Sequence, residues 1–186
     1  MEQFDLTLHP EKTRLIEFGR CAAGNRARRG AGKPETFNFL GFTHICARCR
    51  RGKFLLKRIT RRDRMCITLR KIKEQLMKRR HWAIPEQGKW LRQVVNGYFA
   101  CYAVPSNSKR MQAFRHWVVN MWRRTLKRRG QKDRTTWERI EHIAEDWLPR
   151  PRILHPWPDA RFTVKHPRWE PGALIAPAGI CAGDVR

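Results

Sequence analysis

The sequence predicts an α+β fold that is mostly α: a β-hairpin, then a basic bundle of three to four helices, then a Pro-rich extended tail. Three observations predict it. Across residues 61–129, apolar residues recur at helical spacing in three stretches separated by two short breaks. Upstream, residues 36–45 and 53–60 are short runs rich in aromatic and aliphatic side chains, joined by a short connection. Downstream, seven prolines from Pro149 to Pro177 forbid long helices.

Taken in order, residues 4–18 read as a short strand, a turn at His9-Pro10 and a second extended or helical piece. The segment begins abruptly, as a start inside a longer ancestral protein would. Residues 19–34 hold four Gly and five Lys or Arg and read as a mobile basic loop. Gly30-Ala31-Gly32-Lys33 is not a phosphate-binding P-loop, because Pro34 follows and the glycine spacing is wrong. In residues 36–45, Phe37, Phe39 and then Gly41 or Phe42 alternate as in one strand, with residues 53–60 as its hairpin partner and residues 47–52 as the connection. The first helix carries Met65, Leu69, Ile72 and Leu76 on one stripe, with Arg64, Lys71 and Lys78 on another side. The second, residues 88–102, sets Leu91, Val94, Val95, Tyr98 and Tyr102 on one face and stops before Pro105. The third, residues 109–129, places Met111, Phe114, Trp117, Val118, Met121, Trp122 and Thr125 on its inner arc, while Arg123 and Lys127 look the other way. Thr135 or Thr136 can cap a fourth, residues 137–147, with Trp137, Ile140, Ala144 and Trp147 inward. The tail keeps Trp157, Phe162 and Trp169, so extended wrapping on the bundle is expected.

Charge is the strongest compositional signal. The 41 Lys and Arg outnumber 16 Asp and Glu, for a net charge of +25. Such a field repels itself unless an anionic partner neutralises it; nucleic acid is the first expectation and an acidic membrane surface the second. Residues 48–80 alone carry fifteen basic and two acidic residues, more than solubility needs. Arginine dominates, which suits bidentate phosphate contact and stacking on bases. No apolar run is long enough for a membrane span, the N-terminus lacks a secretory pattern, and six scattered Cys read as thiols, so a cytoplasmic ribonucleoprotein or nucleoid location is expected.

Complete active sites are not visible. Cys46 and Cys49, with His44 before and Cys66 after, make half a zinc site at best, and no metal is expected. The only adjacent carboxylates, Glu145 and Asp146, do not offer a polymerase-type pair of metal ligands. Ser106 and Ser108 lie in a turn without a neighbouring base, and His155 and His166 precede prolines without an obvious partner. Trp82, Trp90, Trp117 and Trp122 lie nearest the basic faces and read as core, Trp90 being the one that stays open as a stacking platform.

Several short motifs occur in one order. They are Leu8-His9-Pro10-Glu11-Lys12-Thr13-Arg14, then Phe39-Leu40-Gly41-Phe42-Thr43-His44, then Gly97-Tyr98-Phe99 through Tyr102-Ala103-Val104-Pro105, Phe114-Arg115 and Trp122-Arg123-Arg124. Arg152-Ile153-Leu154-His155-Pro156 and His166-Pro167-Arg168-Trp169-Glu170-Pro171 follow, ending near Ile180-Cys181-Ala182-Gly183. In that order they resemble the C-terminal part of a bacterial group II intron reverse transcriptase/maturase, over nearly the whole chain. The resemblance implies a palm remnant at residues 1–60, a maturase-specific thumb (domain X) at 61–148 and a C-terminal tail at 149–186. It implies binding of structured group II intron RNA to assist splicing, with DNA as a further possible partner. Lys12 corresponds to the lysine proposed to protonate the leaving pyrophosphate, and Leu40, Gly41 and Phe42 to the primer grip. The cations expected at RNA are Arg58, Arg61, Arg62, Arg64, Lys71, Lys78, Arg79 and Arg80, and on the third helix Arg115, Arg123, Arg124, Lys127 and Arg128. The fingers and the Tyr-x-Asp-Asp strand that holds Mg²⁺ in the full-length family are absent from this sequence, so no polymerase activity is expected from the chain alone. Alternatives are half of a split reverse transcriptase that works with a separate palm, and a generic basic nucleic-acid-binding module.

Overall fold

Apolar periodicity becomes four helices around one core in the computed structural model, which describes His9 and residues 13–130 and 135–157. The elements in chain order are α1 (Ala22–Arg28), β1 (Phe37–Phe39), β2 (Phe42–Arg48), β3 (Phe54–Thr60), α2 (Arg62–Lys78), α3 (Ile84–Tyr102), α4 (Ser108–Lys127) and α5 (Trp137–Trp147). The fold is α+β. Lys12 and the tail residues Phe162, His166, Trp169 and Cys181 lie outside the described residues, as do most of residues 1–12. No helix among the described residues is long and apolar enough to cross a membrane.

The core joins Met65, Ile72 and Leu76 of α2, Leu91, Val95 and Phe99 of α3, Phe114, Val118 and Trp122 of α4, and Ile140 and Ala144 of α5. Each large aliphatic or aromatic side chain so buried contributes about 1.5–3 kcal/mol. Surface ion pairs such as Arg150–Glu145, at 2.7 Å, contribute about 0–1 kcal/mol each. Apolar burial therefore holds the bundle. One buried polar pair ties three elements: the Trp122 indole N–H donates to Gln87 Oε1 at 2.7 Å, and Gln87 Nε2 donates to the carbonyls of Arg79 and Arg80, closing the α2–α3 turn. Tyr98 stacks on Phe114 with centroids 3.6 Å apart, and burial pushes its hydroxyl up to about 12, so it stays neutral.

Four expectations are corrected. Residues 36–45 are two strands, β1 and β2, joined at Leu40-Gly41, so the sheet has three antiparallel strands in the order β1-β2-β3. Both turn residues have positive φ, 46° and 81°, the geometry that fits a two-residue hairpin between right-twisted strands. β2 also runs on to Arg48, which pairs with Phe54, leaving residues 49–53 as the connection. Residues 19–34 contain α1, which packs its Ala22 inward, while Arg26 and Arg14 pair with Glu35 and Arg29 pairs with Glu17. Finally, α3 starts at Ile84: Pro85 sits in its first turn, where no N–H is missed, and Gly88 is interior because a Cβ there would lie 2.5 Å from the Trp147 ring.

Sheet and bundle meet at Asn107, the residue before α4. Its Nδ2 donates to Thr60 Oγ1 (2.6 Å) and the Tyr102 carbonyl (2.8 Å), and the Thr60 N–H donates to its Oδ1 at 3.0 Å. Phe42 packs edge-on against Tyr102 beside it, centroids 5.4 Å apart. Thr136 caps α5, accepting from the Arg139 N–H. The tail then returns over the end of α3, where the N–H groups of Leu154 and His155 donate to the Ala103 carbonyl and His155 Nε2 lies 2.8 Å from the Ala100 carbonyl. His155 thus has a partner that its sequence neighbours did not reveal: carbonyls at a helix C-terminus lack intrahelical donors.

Candidate nucleic-acid interface

Because α2 spends one stripe on the core, its charged residues stand on the remaining surface. Arg62, Arg64, Lys71 and Lys78 are exposed along it. Acidic counterweight on this helix is slight: Asp63 is engaged by Arg61 through two hydrogen bonds of 3.0 and 2.7 Å, leaving Glu74. Arg61 is therefore partly neutralised within the protein, and its N–H donates to the Gly41 carbonyl, tying the β1–β2 turn to the start of α2.

Several expected RNA cations are held by internal contacts. The Arg79 guanidinium lies 5.0 Å from the Trp82 ring and 4.8 Å from the Trp90 ring, and it donates to Gln75. Trp90, the candidate stacking platform, stacks on this arginine and packs at the core edge. Arg115 donates to the Ala144 carbonyl at 3.3 Å; burial lowers its pKa, Arg150 adds to that, and Glu145 and Glu141 oppose it. Arg123 lies 5.0 Å over the Trp137 ring. Arg58 on β3 stands opposite His44 on β2, and Arg80 Nε is 3.3 Å from His81 Nε2. Arg124 and Lys127 of α4, and Arg128 just beyond its end, remain exposed.

Trp117 corrects the expected inner arc of α4, because it is 48 % exposed. It sits about 100° around the helix from Val118, the centre of the buried arc, so it opens beside α2. There it shares a cleft with Arg70 and Lys73, two cations absent from the expected set. Their signal was present in the helical spacing: Lys73 follows Leu69 by one turn, on the flank opposite Arg64.

The expected primer-grip residues form the tip of the β1–β2 turn. Leu40 is 79 % exposed and Phe39 is 57 % exposed. Gly41 faces Tyr102, whose hydroxyl would lie 3.2 Å from a Cβ, and Phe42 packs on the same ring. The tip thus presents apolar surface from a base fixed to α3.

Thiols and imidazoles do not converge. Cys46 Sγ accepts from the Gly19 N–H, Cys49 lies in the β2–β3 connection, and Cys66 is exposed on α2. Among the described residues no three His, Cys, Asp or Glu side chains are grouped as metal ligands. Comparison of the chain with protein-family models, curated proteins and solved structures returns no match.

Proposed function

We propose that the chain is an RNA-binding module of the group II intron reverse transcriptase/maturase kind, which binds structured intron RNA to assist splicing and does not polymerise alone. One observation carries the reading most: exposed, uncompensated cations stand on α2 and α4 while the opposite faces of both helices are consumed by the core. A rigid shell of this sort suits phosphates held at fixed spacing, and structured RNA is recognised largely by shape and phosphate position. In this reading residues 1–60 are a palm remnant, 61–148 the thumb and 149–186 the tail. Binding needs no cofactor from this chain.

Exposed Phe39 and Leu40 favour one second reading, in which a separate palm carrying the metal-binding aspartates docks at the turn tip and restores reverse transcription. Mg²⁺ would then be held by that palm.

The test is the variant R64A/K71A/K78A, whose three side chains are exposed and outside the core. Its log affinity for folded RNA should fall less steeply with log salt, the slope dropping by about one for each phosphate that the variant leaves unneutralised. An unchanged slope removes this face of α2 from the interface.

A further inference from the structure

On the flank of α2 away from Arg64, a cavity of about 370 Å³ lies between α2 and α4. That is within the roughly 300–1,000 Å³ of ordinary ligand sites. Its floor is apolar: Leu69 and Met77 from α2, Trp117 and Met121 from α4. Its rim is cationic on both sides, with Arg70 and Lys73 from α2, and Arg124 of α4 with Arg128 just beyond its end. No carboxylate lines it. The Thr125 hydroxyl is spent on the Met121 carbonyl, and Arg128 Nη1 rests 3.9 Å from Met77 Sδ, so the floor offers surface for contact and stacking.

A cleft that holds an exposed indole and four cations is complementary to a flat aromatic ring flanked by anions. Paired RNA meets the rim with its phosphates but keeps its bases stacked and out of reach of the floor. An acidic peptide satisfies the rim and leaves the indole face uncovered. An unpaired nucleotide satisfies both, since its base can stack and its two flanking phosphates diverge toward opposite walls.

We propose that this groove captures an unpaired nucleotide of the bound RNA, its base stacked on Trp117 and its flanking phosphates on the Arg70/Lys73 and Arg124/Arg128 walls. The proposal rests on the RNA-binding reading above and adds to it recognition of bulged or single-stranded positions.

The experiment compares two RNA hairpins, one fully paired and one with a single bulged nucleotide, binding to the full chain and to W117A, W117F and R70A/R124A. Wild-type protein should prefer the bulged hairpin. W117A should weaken that complex roughly 5- to 150-fold, the range for losing one base stack, with the salt slope and the paired hairpin unaffected. W117F should retain most of the preference. R70A/R124A replaces two exposed side chains and should also lose it, which keeps the test decisive if W117A unfolds. If wild-type binds both hairpins equally and W117A changes neither, the groove proposal falls while RNA binding stands. Wild-type protein that binds neither hairpin overturns the RNA-binding reading and the groove with it. Displacement of RNA by poly-glutamate independently of Trp117 would make the groove an acidic-protein site and overturn the proposal.

Discussion

Leu40 has φ 46°, a left-handed backbone that costs a leucine roughly 1–2 kcal/mol. An Asn or Gly there would have marked the turn in the sequence; Leu-Gly instead continued the Phe alternation and hid it. The docking of a separate palm proposed above rests on this exposed side chain and on Phe39 beside it. His44, four residues on, is 8 % exposed, stacked on Phe37 with centroids 4.8 Å apart and paired across the sheet with Arg58. Burial first, and then the Arg58 charge, hold its pKa below the ordinary value near 6.5. Unfolded chain therefore takes up a proton there before folded chain does. The resulting stability is complete above the ordinary imidazole value and is lost as pH falls through it toward the folded value. The melting temperature should drop between about pH 7.5 and pH 5, and the drop should be smaller in H44Q, as thermal unfolding at both pH values would reveal. An equal drop in both proteins would place the pH sensitivity elsewhere.

Elements with strong periods were legible: α4 and α5 lie within two residues of their expected bounds and α2 buries its expected stripe, because Met65–Leu69–Ile72–Leu76 and Ile140–Ala144 leave one phase open. Weak or mixed signals failed. α1 is seven residues long with Gly24 inside it, so local propensity is poor and contacts with Glu17 and Glu35 stabilise it. The start of α3 was hidden by Gly88, whose purpose is tertiary. Missing its side chain, it lets Trp147 lie against α3, and Arg92 completes the joint by donating to the Trp147 carbonyl at 2.9 Å while its guanidinium lies 5.5 Å from the indole ring. G88A should gain a little helix propensity and lose about 1–3 kcal/mol to the forced repacking of α5. Denaturant unfolding of the variant measures this; a stability equal to or above wild type would mean that α5 adjusts without cost.

At the scale of the molecule, the sequence announced a cationic bundle but could not say which cations are free. Arg61, Arg79, Arg115 and Arg123 read as surface charge, yet each finds an internal carboxylate, carbonyl or indole in the folded chain. Pairings such as Arg115 with the Ala144 carbonyl, 29 residues apart, leave no periodic trace. The same limit hid the groove, which needs α2 and α4 side by side before Trp117 and Arg70 become neighbours. What remains after the internal pairings includes exposed cations along α2 and α4, attached through Asn107 to a sheet whose turn tip is apolar. The proposed maturase-like recognition requires that this arrangement prefer one folded RNA over others. Competition binding tests it most directly, with a group II intron RNA challenged by an unrelated structured RNA and by duplex DNA at physiological and raised salt. The account predicts that intron RNA wins and that its advantage survives added salt; equal displacement by all competitors, with salt abolishing binding, would contradict it.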